Sequence, residues 1–228
     1  FKDKTVLIFG LGRFGGGLDS TRFAHHCGAN VIVTDSLPQE KLTDALRELA
    51  DCTGITYRLG SHDKSDFEKA DVIIVNPAVP PNHEMLIYAR SLGKSITSQV
   101  EIFFSMCPAK IVGITGANGK STTTALTAHL LSSGIGQKAF PYRRVWLGGN
   151  IGNQPLLCVL NEIKSSDLVV LELSSFQLEQ LANSGFAPHA SLITNLAPNH
   201  LDRHGTYENY AAAKENIFRL QKYNPNNP

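Results

Sequence analysis

Between an apolar, β-rich run, Lys110-Ile111-Val112, and a helix start at Thr122-Thr123-Thr124-Ala125-Leu126, the chain reads Gly113-Ile-Thr-Gly-Ala-Asn-Gly-Lys-Ser121. A glycine-rich turn that joins a strand to a helix N-terminus belongs to α/β architecture. It points several backbone N–H groups at one spot, where the helix dipole also favours negative charge. Lys120 adds a full positive charge there, and the Ser121 hydroxyl suits a phosphate-bound Mg²⁺. The stretch therefore predicts a nucleotide triphosphate site built from Gly116, Ala117, Asn118, Gly119, Lys120, Ser121 and Thr122. A strict phosphate loop has a glycine five residues before Gly119, where Ile114 stands. The loop is a shortened variant that begins at Gly116. A plain glycine-rich turn with a surface lysine is the structural alternative.

Short β-branched runs alternate with helix-like stretches along the whole chain. Strands are expected at Thr5–Phe9, Val31–Thr34, Ile55–Leu59, Asp71–Val75, Ser95–Thr97, Ile111–Thr115, Leu168–Leu173 and Ser191–Asn195. Their apolar character is continuous and not alternating, as in parallel strands buried on both faces. The fold class is α/β, with a Rossmann-like parallel-sheet domain followed by part of a phosphate-loop ATPase-like domain. Near Met106-Cys107-Pro108 the pattern restarts, so the domains are expected at residues 1–108 and 109–228. Pro141-Tyr142-Arg143-Arg144 reads as a loop before Leu147-Gly148-Gly149-Asn150.

With 42% hydrophobic and 18% charged residues among 228, the chain can bury a proper core. A net charge of +1 gives no electrostatic case for nucleic acid or a membrane surface. Cys27, Cys52, Cys107 and Cys158 lie far apart with no ligand spacing, which fits a reduced cytoplasmic setting better than disulfides or zinc. No apolar run approaches membrane-spanning length, and Phe-Lys-Asp-Lys at the start is not a signal peptide.

Gly10-Leu11-Gly12-Arg13-Phe14-Gly15 follows the first strand, and Asp35 ends the second. The glycines allow close backbone approach to a pyrophosphate, and the acid can hold a ribose hydroxyl. NAD is one candidate, but nothing downstream resembles hydride-transfer machinery, and nucleotide sugars also carry a diphosphate. Glu172 sits near the C-terminal end of an apolar strand, the edge where open α/β sheets bind ligands. It could reach a Mg²⁺ held at the phosphate loop, or simply make structural hydrogen bonds. The loop Thr194–Gly205 contains two histidines, His200 and His204, each a ligand or an ordinary loop residue. On the helix from about Thr206, Tyr210, Ala213, Ile217 and Leu220 form one stripe. Lys214 lies four residues from both Tyr210 and Phe218, so it either extends to water or turns into a site.

Four blocks occur together and in order: Gly116–Thr122, Gly148-Gly-Asn-Ile-Gly152, Glu172-Leu-Ser-Ser-Phe-Gln-Leu178, and Asn199-His-Leu-Asp-Arg-His204 with Tyr210-Ala-Ala-Ala-Lys214. In these the chain resembles the Mur ligases of peptidoglycan synthesis over nearly its whole length, most of all the branch that joins D-glutamate to UDP-N-acetylmuramoyl-L-alanine. The resemblance implies a monomeric ATP-dependent ligase that uses two Mg²⁺ ions. It implies Ser121 and Glu172 on the first ion, and His200 and a carbamylated Lys214 on the second. Lys120, Glu172, His200 and Lys214 would be the catalytic set. Asn150 and Ser174 would touch substrate. Gly12, Arg13, Phe14, Asp35 and Ser36 would form the uracil-ribose pocket, with Asn76 and Pro77 at its lower edge. Two departures stand out. The Lys138–Trp146 segment is longer than is usual in the family, and members continue beyond Lys214 through a third domain, so the chain is expected to be a fragment. A non-catalytic UDP-sugar- or nucleotide-binding module and an NAD-dependent oxidoreductase remain alternatives.

Overall fold

The computed structural model describes residues 1–12, 15–152, 156–219 and 221. Arg13, Phe14 and Leu220 lie outside these. The chain divides into two compact units, Phe1–Ile102 with Pro155–Val159, and Phe103–Gln154 with Leu160–Pro228.

The first unit is built on five parallel strands: β1 (Thr5–Phe9), β2 (Asn30–Asp35), β3 (Thr56–Leu59), β4 (Val72–Val75) and β5 (Ser95–Ser98). Their order is β3-β2-β1-β4-β5. Helices α1 (Gly16–His26), α2 (Thr43–Glu48), α3 (Lys64–Lys69) and α4 (Glu84–Ser91) connect them. The inner strands bury nearly every residue, which is why they read as unbroken apolar runs. Leu7, Phe9, Phe67, Ile73 and Leu86 form one core cluster of this unit. β1 pairs with both β2 and β4, so the chain leaves it in opposite directions on the two sides. The crevice at that switch point is where a doubly wound sheet takes its ligand.

Leu156, Leu157 and Cys158 belong to this unit although they lie far along the chain. Their N–H groups donate to the carboxylate of Asp19, which also accepts from Gln99 Nε2 at 2.6 Å. Asp19 is buried, and these four donors satisfy a charge that would otherwise be costly to bury. Hydrophobic periodicity carries no sign of this return.

The second unit begins on α5 (Gln99–Met106), which straddles the division. Its sheet holds β6 (Lys110–Thr115), β7 (Val145–Gly149), β8 (Leu168–Glu172) and β9 (Ala190–Ile193), all parallel, in the order β7-β8-β6-β9. Helices α6 (Lys120–Ser133), α7 (Ser175–Ser184), α8 (Leu201–His204) and α9 (Tyr207–Arg219) complete it. α7 starts in a full capping box, Ser174 accepting from Gln177 N while the Gln177 side chain accepts from Ser174 N. The loop expected at Pro141–Arg144 leads directly into β7, a strand absent from the expected set, in which Val145 and Trp146 already lie. Trp146 is pinned there by its indole N–H, which donates to buried Asp167 at 3.0 Å. Arg144 stacks on the same indole at 3.4 Å.

Candidate functional site

In the second unit, β6 lies between β8 and β9, so the loops after these strands share one edge of the sheet. The glycine loop follows β6, Glu172 ends β8 level with Ile114, and Thr194–His200 follows β9. Gly116 has φ 149°, and a Cβ there would stand 1.9 Å from Thr194 Oγ1, so the loop can take only glycine at this point. Asn195 braces the loop: its carbonyl accepts from Ala117 N at 3.0 Å and its Oδ1 from Asn118 N at 3.0 Å. Thr194 Oγ1 and Asn195 Nδ2 both donate to Asn118 O. Two of the loop's amides are thereby occupied within the protein. Beyond them, α6 begins at left-handed Gly119 without a side-chain cap, leaving the first-turn amides of Lys120, Ser121 and Thr122 for a ligand. Lys120 Nζ donates to Ala117 O at 3.0 Å, which folds the cation back over the loop. Ser121 and Thr122 are exposed.

Glu172 is 1% exposed. Its Oε1 accepts from Asn150 Nδ2 at 3.0 Å, and its backbone carbonyl accepts from Asn150 N at 2.8 Å. Gly149 makes this approach possible, because a Cβ there would meet Glu172 O at 2.2 Å. Among the described residues, Oε2 of Glu172 is buried without a hydrogen-bond partner. An unpartnered carboxylate oxygen this deep is costly unless a cation completes it. Asn150 thus first contacts Glu172, a role that substrate contact alone does not describe, and Ser174 caps α7.

Lys214 is turned inward and 2% exposed. Its Nζ donates to Thr115 Oγ1 at 3.0 Å and lies 5.0 Å from the centroid of the buried Tyr210 ring. Phe218, expected on the same face, is 43% exposed, so the enclosure comes from Tyr210 and β6. Burial, reinforced by the charge of Lys120 and opposed by Glu172, brings the Lys214 ammonium down to about 8.

The two histidines of the last loop separate. His200 is exposed, takes a left-handed conformation at φ 51°, and packs on Phe176 at 5.2 Å between centroids. His204 is buried, with Nε2 3.0 Å from Ser175 Oγ and Nδ1 3.2 Å from Glu179 Oε1. Burial lowers its pKa, against the pull of Glu179. Among the described residues no group of three or more His, Cys, Asp and Glu is placed to hold a metal.

In the first unit, Gly10, Gly12 and Gly15 all have positive φ. Gly12 N donates to Asp35 Oδ2 at 2.9 Å and Leu37 N to Oδ1 at 2.8 Å, so Asp35 braces two loops while keeping spare lone pairs. Asn76 lies against Gly10 and Gly12, and its Oδ1 accepts from Ala78 N across Pro77. Ser36 is exposed beside them. Arg13 and Phe14 fall outside the described residues. Sequence reasoning missed His62 and His83, which stand edge-on to Phe9 at this same edge with centroids 4.9 and 5.0 Å away. It also missed the bracing of the phosphate loop by Thr194 and Asn195. An Asn in a polar loop carries no signal of its partner 77 positions away.

Comparison with known proteins agrees with these motifs. The family described as Mur ligase middle domain matches residues 114–226, and the MurD-like N-terminal domain of the Mur ligases matches residues 4–98. UDP-N-acetylmuramoylalanine–D-glutamate ligase of Roseiflexus sp. (strain RS-1) is 43% identical over 219 residues, covering 96% of this chain and 45% of its own length. The enzyme of the same name from Clostridium tetani is 40% identical over 97% of this chain and 45% of its own length. The chain thus spans less than half the length of these relatives. A crystal structure of UDP-N-acetylmuramate:L-alanyl-gamma-D-glutamyl-meso-diaminopimelate ligase from Neisseria meningitides shares the fold, with TM-score 0.59 and 16% identity over 97% of this chain and 69% of its own. Two successive domain matches, in the order the motifs occur, show that the chain belongs to the Mur ligase family.

Proposed function

We propose that this chain is the portion of a UDP-N-acetylmuramoyl-L-alanine:D-glutamate ligase that binds the UDP-linked substrate in its first unit and ATP in its second. The unpartnered Oε2 of buried Glu172, on the sheet edge that also carries the uncapped α6 N-terminus and Lys120, is the observation that carries the reading. The four-block resemblance and the relatives at about 40% identity supply its chemistry.

A carboxylate is a poor electrophile because its oxygen leaves badly. Transfer of the ATP γ-phosphoryl to the alanyl carboxylate provides a phosphate leaving group, which the amine of D-glutamate then displaces to form the amide. The difficulty is bringing two anions together. The first-turn amides of α6 and the Lys120 ammonium offset that repulsion and hold the phosphates in line. Asn150 keeps Glu172 oriented by its hydrogen bond to Oε1, leaving Oε2 for a cation. Ser121 and Glu172 would hold one Mg²⁺, and His200 with a carbamylated Lys214 a second; the ions would neutralise charge on the transferring phosphoryl group. The donor set fits the first ion through Oε2. For the second, Lys214 must become an anion, and its lowered pKa favours the neutral amine that carbon dioxide requires. Gly12, Arg13, Phe14, Asp35, Ser36, Asn76 and Pro77 would receive the uridine diphosphate.

Lys120→Ala tests this directly. The variant should lose ATP binding while the first unit keeps its affinity for a uridine diphosphate ligand, both read by calorimetry. Unchanged ATP affinity would remove the triphosphate assignment.

A further inference from the structure

Thr115 closes β6 one residue before the glycine loop and is fully buried. Its hydroxyl donates to the carbonyl of Leu173 at 2.6 Å. A hydroxyl has one proton, so Oγ1 can meet Lys214 only as an acceptor, which is the sense of the 3.0 Å contact from Nζ. Leu173 lies between Glu172 and Ser174. One hydroxyl therefore joins the end of β8, the start of the glycine loop and a lysine 99 positions away. The lysine stem is flexible, and among the described residues this is the hydrogen bond that fixes its tip.

We propose that Thr115 is a positioning residue that aims the Lys214 nitrogen, and that it sets the orientation of the carbamate formed there. The second clause rests on the reading of Lys214 given above. When carbon dioxide adds, a new N–C bond forms between neutral Nζ and the carbon, and Nζ gives up one hydrogen as a proton. A single N–H then remains. With Thr115 Oγ1 as its acceptor, the planar carbamate is held with its carboxylate turned away from Thr115.

The test compares the 228-residue wild-type chain with Thr115→Val, Thr115→Ala and Thr115→Ser. Carbamate is followed by ¹³C NMR in ¹³C-bicarbonate, with Lys214→Ala as the blank, and the side chain through ¹³Cε-labelled lysine. A retained melting transition of the second unit shows that each variant is folded there. Wild type and Thr115→Ser should show the carbamate line, while Val and Ala reduce its occupancy by about tenfold, the size of one lost buried hydrogen bond. The ¹³Cε line of Lys214 should move in Val and Ala and return in Ser. Full carbamate occupancy in Val and Ala overturns the proposal. If wild type shows no carbamate, the carbamate reading fails on its own, and the ¹³Cε line still decides: movement restored by Ser supports positioning by Thr115, and an unmoved line refutes it.

Discussion

Lys214 shows most plainly what burial does to a single residue. Folded, it releases its proton at about 8, whereas in the unfolded chain it keeps the ordinary lysine value. The unfolded state therefore binds more protons between these limits, and stability must rise with pH across that window. Below about pH 8 the cost of holding the ammonium indoors is fully present. In bicarbonate-free buffer, the second unit should gain stability between about pH 8 and 10, and Lys214→Met should flatten that gain. Parallel pH–stability curves for the two proteins would show that Lys214 is not the residue responsible. Nothing in the sequence distinguishes a lysine extended to water from one turned inward, because a position between two aromatics permits both. The decision came from Thr115, a residue unremarkable in sequence whose hydroxyl is reached only after the sheet has formed.

Among the elements, the strands were the most legible, since a parallel strand buried on both faces writes an unbroken apolar run. β7 escaped because its apolar stretch is only Val145-Trp146-Leu147 before a glycine pair, and as an edge strand it is only partly covered. The glycine loops were legible as motifs, but not the reasons for each glycine. Gly17 lies so close under the first loop that a Cβ would meet Leu11 O at 2.2 Å. Gly17→Ala should therefore destabilise the first unit by about 1–3 kcal/mol, checked by urea denaturation, with the second unit unaffected. Gly116→Ala should act differently. Its clash is with Thr194, which braces the phosphate loop, so ATP affinity should fall by about tenfold or more while uridine diphosphate binding stays unchanged. Wild-type ATP affinity in Gly116→Ala would mean that the loop relaxes without loss of the site.

For the molecule as a whole, two units with separate cores predict separate unfolding. The second sheet has four strands, and Leu126, Leu130, Leu192 and Leu196 stand exposed around it. It should melt first, in a scan with two transitions, and ATP should raise only that transition. A single cooperative transition would contradict this. The family was legible from four co-linear blocks; the return of Leu156–Cys158 to Asp19 was not, because backbone amides leave no mark in a sequence. The most direct test of the central claim is a parallel titration of the chain with UDP-N-acetylmuramoyl-L-alanine, ATP and NAD. The account predicts that the first two bind at separate sites, that Lys120→Ala abolishes only the ATP isotherm, and that NAD gives no useful binding. Micromolar NAD affinity without uridine nucleotide binding would contradict it.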